Sequence, residues 1–163
     1  MVYSSVNRTA ARILARRPDA FAQITGSSAY PQLRGTVELY ALRGGVLLTA
    51  WVTGLPEQTD EGASVFGFHI HSGGSCTGNA QDPFADALSH YDPVGTEHPR
   101  HAGDLPPLFA YGGEAYLCFL TKGFTVPEVI GKAVIIHADR DDLSSQPAGN
   151  AGEKIACGLI RRN

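Results

Sequence analysis

Residues 33–52 read LRGTVELYALRGGVLLTAWV, and this stretch decides the fold. In its first half Val37, Leu39 and Ala41 alternate with Glu38 and Tyr40, the period of two that puts apolar side chains on one face of a strand. Its second half, Val46–Val52, is rich in β-branched and aromatic residues. Arg43-Gly44-Gly45 between them is a hairpin turn signal. Two strands joined by so short a turn are antiparallel neighbours. Outward from this hairpin the same grammar recurs at Phe21–Thr25, Val65–His71, Glu114–Leu120, Lys132–His137 and Lys154–Ile160. The pattern predicts an all-β protein of seven or eight short strands with no alternation of strand and helix, hence an antiparallel sandwich or barrel.

Composition agrees with this reading. A chain of 163 residues with 19 Gly and 10 Pro suits one turn-rich domain with a real core. Charged residues make up only 18%, too few for intrinsic disorder. A net charge of −3 excludes a nucleic-acid binder that works through overall charge, and no apolar run approaches the ~20 residues of a membrane span. Residues 1–18 form a separate basic extension, and residues 19–163 form the domain. The first 17 residues hold Arg8, Arg12, Arg16 and Arg17 and no acid, with Val6, Ala10, Ile13 and Leu14 at helical spacing. This predicts a short amphipathic helix ending before Pro18, packed on the domain as an arm. An Arg-rich transit segment is the competing reading, whereas a secretory signal lacks its apolar stretch.

The 41 residues Ser72–Gly112 show little periodicity, yet their Tyr, Phe, Leu and His content argues for order. So long a loop needs something to offset its ordering entropy, and a metal site would do so. The histidines fit that role. His69 and His71 stand two apart on a strand, so both imidazoles share a face. His90, His98, His101 and Asp104 gather in the loop as HYDPVGTEHPRHAGD, three imidazoles and a carboxylate that complete a tetrahedral zinc shell. His137 closes a strand. The six histidines and Asp104 make seven ligands, and two four-coordinate ions need eight bonds. One imidazolate bridging through both nitrogens closes the difference, so the arithmetic points to two metals. Cys76, Cys118 and Cys157 leave two readings open, one disulfide with a spare thiol or three reduced thiols.

Between Gly26 and Ile160 the chain contains, in this order, Gly67-Phe68-His69-Ile70-His71, Cys76-Thr77, His90-Tyr91-Asp92-Pro93, Glu97-His98, Arg100-His101-Ala102-Gly103-Asp104-Leu105, His137-Ala138-Asp139-Arg140-Asp141-Asp142-Leu143, Gly149-Asn150-Ala151-Gly152 and Ala156-Cys157-Gly158. In these motifs it resembles the copper,zinc superoxide dismutases. The resemblance has consequences for fold and chemistry. It implies a Greek-key β-barrel with long metal-binding loops, copper and zinc as cofactors, and an antioxidant oxidoreductase acting on superoxide. It implies copper at His69, His71, His90 and His137, and zinc at His90, His98, His101 and Asp104 with His90 as the bridge. It further implies a Cys76–Cys157 disulfide, Asp141 as the carboxylate linking His69 and His98, and Lys154 in the place of an anion-guiding arginine. His90 and Lys154 would be the catalytic side chains. A non-catalytic relative for copper delivery or storage is the alternative.

Four features depart from the usual pattern. Only Pro99 and Arg100 separate His98 from His101; residues 78–89 (GNAQDPFADALS) are an insertion; the loop at residues 144–148 is short and uncharged; and Lys154 keeps the charge but loses the bidentate fork of arginine. Cys118 is expected as a buried apolar strand residue. The expected state is a monomer or homodimer. The expected compartment is cytoplasmic, because no signal segment is visible.

Overall fold

In the computed structural model the described residues are 10–58 and 62–163. Among them the strands are β1 (Ala20–Gly26), β2 (Arg34–Leu42), β3 (Gly45–Thr53), β4 (Ala63–Phe66), β5 (Phe68–His71), β6 (Leu108–Tyr111), β7 (Glu114–Thr121), β8 (Ala133–His137), β9 (Lys154–Leu159) and β10 (Arg161–Arg162). The 33–52 stretch is the β2–β3 hairpin, paired in nine-residue register from Arg34 opposite Thr53 to Leu42 opposite Gly45. At its turn Gly44 adopts φ +84°, a conformation that a Cβ disfavours.

All strand pairs are antiparallel, in the order β4-β6-β7-β3-β2-β1-β9-β8-β5, with β10 beside β1. The two ends of this order, β4 and β5, are consecutive in the chain and separated only by Gly67. The sheet therefore curls until its two edges meet at one residue, giving a nearly closed barrel. The neighbours β3/β7 and β1/β9, far apart in sequence, are the crossovers that Greek-key connectivity requires.

The sequence reading takes Val65–His71 as one strand. The structure breaks it at Gly67, whose amide donates to Asp139 O (2.7 Å) and whose carbonyl accepts from His137 N (2.8 Å). A Cβ at Gly67 would lie 2.8 Å from Ala151 Cβ, so only glycine lets the chain turn the barrel corner here. The sequence reading also misses β6, because Leu108–Tyr111 sits next to two prolines in the aperiodic stretch. It misses a one-turn helix at Val126–Val129 as well, capped by Thr125 and Glu128.

The barrel interior is filled by alternate residues of each strand: Val37 and Leu39; Leu48, Ala50 and Val52; Phe68 and Ile70; Val134 and Ile136. Burying each large side chain contributes about 1.5–3 kcal/mol. A second, smaller apolar cluster lies outside the wall, where Phe84 and Ala87 cover Ala133, Ile135 and Cys157. It explains why β8 is buried on both faces.

Cys118 corrects an expectation. It is exposed on β7, on the outward face shared by Glu114, Tyr116 and Leu120, while Ala115 points inward. Before the barrel, residues 10–14 are helical, and the expected arm before residue 10 lies outside the described residues. Arg16 donates to Asp19 Oδ2 (3.0 Å) and Ala41 O (2.8 Å), and its guanidinium sits 5.6 Å over the Tyr40 ring. Among the described residues no helix is long and apolar enough to cross a membrane.

Candidate metal centre

The alternation of β5 separates core from chemistry. Phe68 and Ile70 enter the barrel, so His69 and His71 project from its outer wall. Two strips of the long loop run along this strand. Ile70 N donates to Gly103 O and Tyr91 N to Ile70 O (both 2.8 Å), bringing Asp104 beside His69 and His90 beside His71. Gly103 is required there, because a Cβ would lie 2.2 Å from Ile70 O. Strand β8 pairs with β5 and ends at His137.

The structure thus gathers all seven sequence-predicted side chains into two groups, His69, His71, His90 and His137, and His90, His98, His101 and Asp104. Within each group the ligand atoms lie within 4.8 Å of one another, and His90 belongs to both. His69 is fully buried, and His71, His90, His98 and His137 are nearly so.

Hydrogen bonds on the far side of each ring fix which nitrogen carries the proton. His69 Nε2 donates to Asp141 Oδ2 (2.7 Å) and His98 Nε2 to Asp141 Oδ1 (2.9 Å). His71 Nδ1 donates to Leu88 O (2.7 Å) and His137 Nδ1 to Gly152 O (3.1 Å). Carboxylates and carbonyls only accept, so the opposite nitrogen of each neutral ring presents a lone pair inward. His71 Nε2 and His137 Nε2 then face each other at 3.3 Å, lone pair to lone pair. Such a contact is repulsive unless a cation lies between.

His69 Nδ1, His90 Nε2 and His98 Nδ1 are buried and have no hydrogen-bond partner among the described residues. His98 Nδ1 is 3.1 Å from Asp104 Oδ2 without the angle of a hydrogen bond. An orphaned buried polar atom costs about 1–3 kcal/mol. Three in one place, each on a member of one of the two groups, fit metal coordination, and the imidazole-rich donor set suits copper and zinc.

Protonation agrees. Burial pushes His71 down to about 2 and His137 to about 3, each lowered further by neighbouring imidazoles, and burial also lowers His69. All three are neutral at pH 7. Burial would raise Asp141, but hydrogen bonds from His69, the Leu143 amide and His98 overcome it and hold the carboxyl at about 2. Burial likewise opposes ionisation of Asp104, which is nonetheless lowered by the hydrogen bond and charge of His90.

Cys76 and Cys157 form a disulfide with Cα atoms 5.7 Å apart, tying the start of the insertion to β9. Lys154 opens β9 across from His137. It lines a solvent-open pocket of about 660 Å³ with His71, Asp82, His90, His137 and Glu153. Its ammonium donates to Asp82 Oδ2 at 2.5 Å, a partner that the sequence reading does not name.

Several contributors escape the sequence reading. Gln146 clasps His98, accepting from its amide (3.0 Å) and donating to its carbonyl (2.7 Å). Gly149 makes room for Asp141, since a Cβ there would lie 2.0 Å from Asp141 Oδ1. Gly149 stands in a quoted motif and carries a signal. Leu88 and Gly152 act through backbone carbonyls, which no residue type announces.

Comparison with known proteins gives one family. The model of the copper/zinc superoxide dismutase (SODC) family matches residues 33–160. A curated "Superoxide dismutase [Cu-Zn]" of Photobacterium leiognathi is 36% identical over 141 residues, covering 78% of each chain. One of Aquifex aeolicus is 34% identical over 142 residues, again covering 78% of each chain, and one of Legionella pneumophila is 32% identical over 151 residues, covering 88% of this chain and 87% of its own. A crystal structure of a double mutant of a SOD-like protein from Bacillus subtilis superposes with TM-score 0.70 at 27% identity, covering 86% of this chain and 96% of that one. With the barrel, the shared histidine and these matches in place, the chain belongs to the copper/zinc superoxide dismutase family.

Proposed function

We propose that the protein converts superoxide to oxygen and hydrogen peroxide, with copper held by His69, His71, His90 and His137 and zinc by His90, His98, His101 and Asp104. One observation carries this reading: His90 belongs to both ligand groups, with Nδ1 beside Asp104 (2.7 Å) and Nε2 buried without a partner in the first group. Copper, when bound, exchanges single electrons in both directions, which zinc does not. The chain's own residues do the rest. Asp141 orients one imidazole of each group through its two oxygens, so the groups hold a fixed relation. Lys154 offers the cation that holds an anion once it is inside the pocket. His90 Nε2 can hold a proton and pass it to the reduced product. One superoxide gives up an electron and leaves as oxygen; a second gains it with two protons and leaves as hydrogen peroxide.

The second reading, a non-catalytic copper- and zinc-binding relative, is favoured by the Asp82–Lys154 pair, which neutralises the cation an anionic substrate would meet. Elemental analysis beside a direct superoxide-decay assay separates the two. One copper and one zinc per chain with accelerated decay supports the enzyme, whereas full metal loading without acceleration supports the relative.

A further inference from the structure

The insertion at residues 78–89 gives the pocket a feature that a local cation alone would not have. Asp82 Oδ2 accepts from Lys154 Nζ at 2.5 Å, and the same ammonium reaches Phe84 O at 3.4 Å. The lysine side chain is 16% exposed and the carboxylate 37%, so solvent reaches this pair mainly from the carboxylate side. The carboxylate is not free to wander. Asp82 Oδ1 accepts from the Phe84 amide (2.9 Å), and Asp82 O accepts from Asn79 N (2.9 Å) and Ala85 N (3.2 Å). Phe84 is buried with Ala87 against Ala133, Ile135 and Cys157, beside the Cys76–Cys157 disulfide. The other carboxylates of the pocket are Asp92 and Glu153, and among the described residues Lys154 is the one lysine or arginine that lines it.

We propose that Asp82 is a specificity-determining residue that masks Lys154, so that an anion is captured by displacing the carboxylate at short range and not by long-range attraction. This rests on the reading of the pocket as the site of anion capture. The physics is a cancellation. A lone ammonium attracts an anion over about a Debye length, whereas an ammonium–carboxylate pair presents a dipole whose field dies within a few ångströms. The depressed carboxyl of Asp82, which burial opposes and the Lys154 hydrogen bond overcomes, keeps the mask charged.

Asp82→Asn tests it, because the amide oxygen preserves the contact with the Phe84 amide while the charge is lost. Azide titration of the copper- and zinc-loaded protein at low salt is the deciding readout. The expected result is that the variant binds azide about three- to tenfold more tightly. The gain should vanish in the Asp82→Asn/Lys154→Gln double variant and shrink at high salt. Equal or weaker azide binding in Asp82→Asn overturns the proposal. On metal-free protein, acetylation of Lys154 by acetic anhydride, read by peptide mass, should be severalfold faster in the variant, and equal rates overturn the pair itself. Superoxide decay on the loaded samples stands apart. If the native protein does not accelerate it, the dismutase reading fails, while the azide comparison still decides whether Asp82 masks Lys154.

Discussion

The centre depends on single atoms whose removal has calculable consequences. Asp141 gives one oxygen to His69 Nε2 and the other to His98 Nε2. Asp141→Ala should weaken the binding of both metals by about 10- to 100-fold while the barrel persists, because both rings lose their anchor. Chelator competition measures this, and unchanged affinities would show that the carboxylate is a bystander. Gly149 holds φ +67° with no room for a Cβ beside Asp141 and His98. Gly149→Ala should therefore destabilise the protein by about 1–3 kcal/mol and loosen the same two rings, and a denaturant midpoint equal to that of the native protein would contradict the crowding. The histidines and Asp104 were legible in the sequence because their chemistry is their residue type. The Leu88 and Gly152 carbonyls were not, because any residue can offer one, and Asp82 was not, because only the folded insertion brings it to Lys154.

At the level of elements, the decisive fact is that the β5 wall faces core on one side and candidate metal ligands on the other. Alternation made this readable at Phe68-His69-Ile70-His71. What alternation does not encode is where a strand bends, so the break at Gly67 emerged only from the barrel closure. The short β6 was hidden by its prolines for a similar reason: four residues are too few for a period to show. The loop over β5 is held at its insertion by the disulfide, which closes a separation of 81 residues. Constraining a loop of that length stabilises by about 4 kcal/mol in the chain-entropy picture. Cys157→Ser should lower the melting temperature of the metal-free protein by about 10 °C and expose residues 78–89 to protease. Melting and cleavage identical to the native protein would mean that Phe84 and Ala87 hold the insertion unaided.

For the whole molecule, the barrel is a rigid frame and the metal centre a clasp on its outside. Three orphaned buried nitrogens and a lone-pair contact at 3.3 Å are costs the metal-free chain carries. Loading both ions should raise the melting temperature by ten degrees or more, since binding to the folded chain alone adds stability by mass action, and a melt unaffected by metals would contradict the coordination. The antiparallel all-β class was legible from turn chemistry and periodicity, and the Greek-key barrel from the family resemblance alone. The pocket's charge balance was not, because a net charge of −3 says nothing of which acid faces which base.

Whether His90 joins two metal sites into one dismutating centre is tested most directly by superoxide decay followed in real time with copper- and zinc-loaded native protein and with His90→Ala, each beside its measured metal content. Rapid decay and one ion of each metal are expected in the native protein, and loss of activity with reduced occupancy of both metals in the variant. A variant that keeps full copper and zinc and dismutates superoxide as fast as the native protein would contradict the joining role of His90.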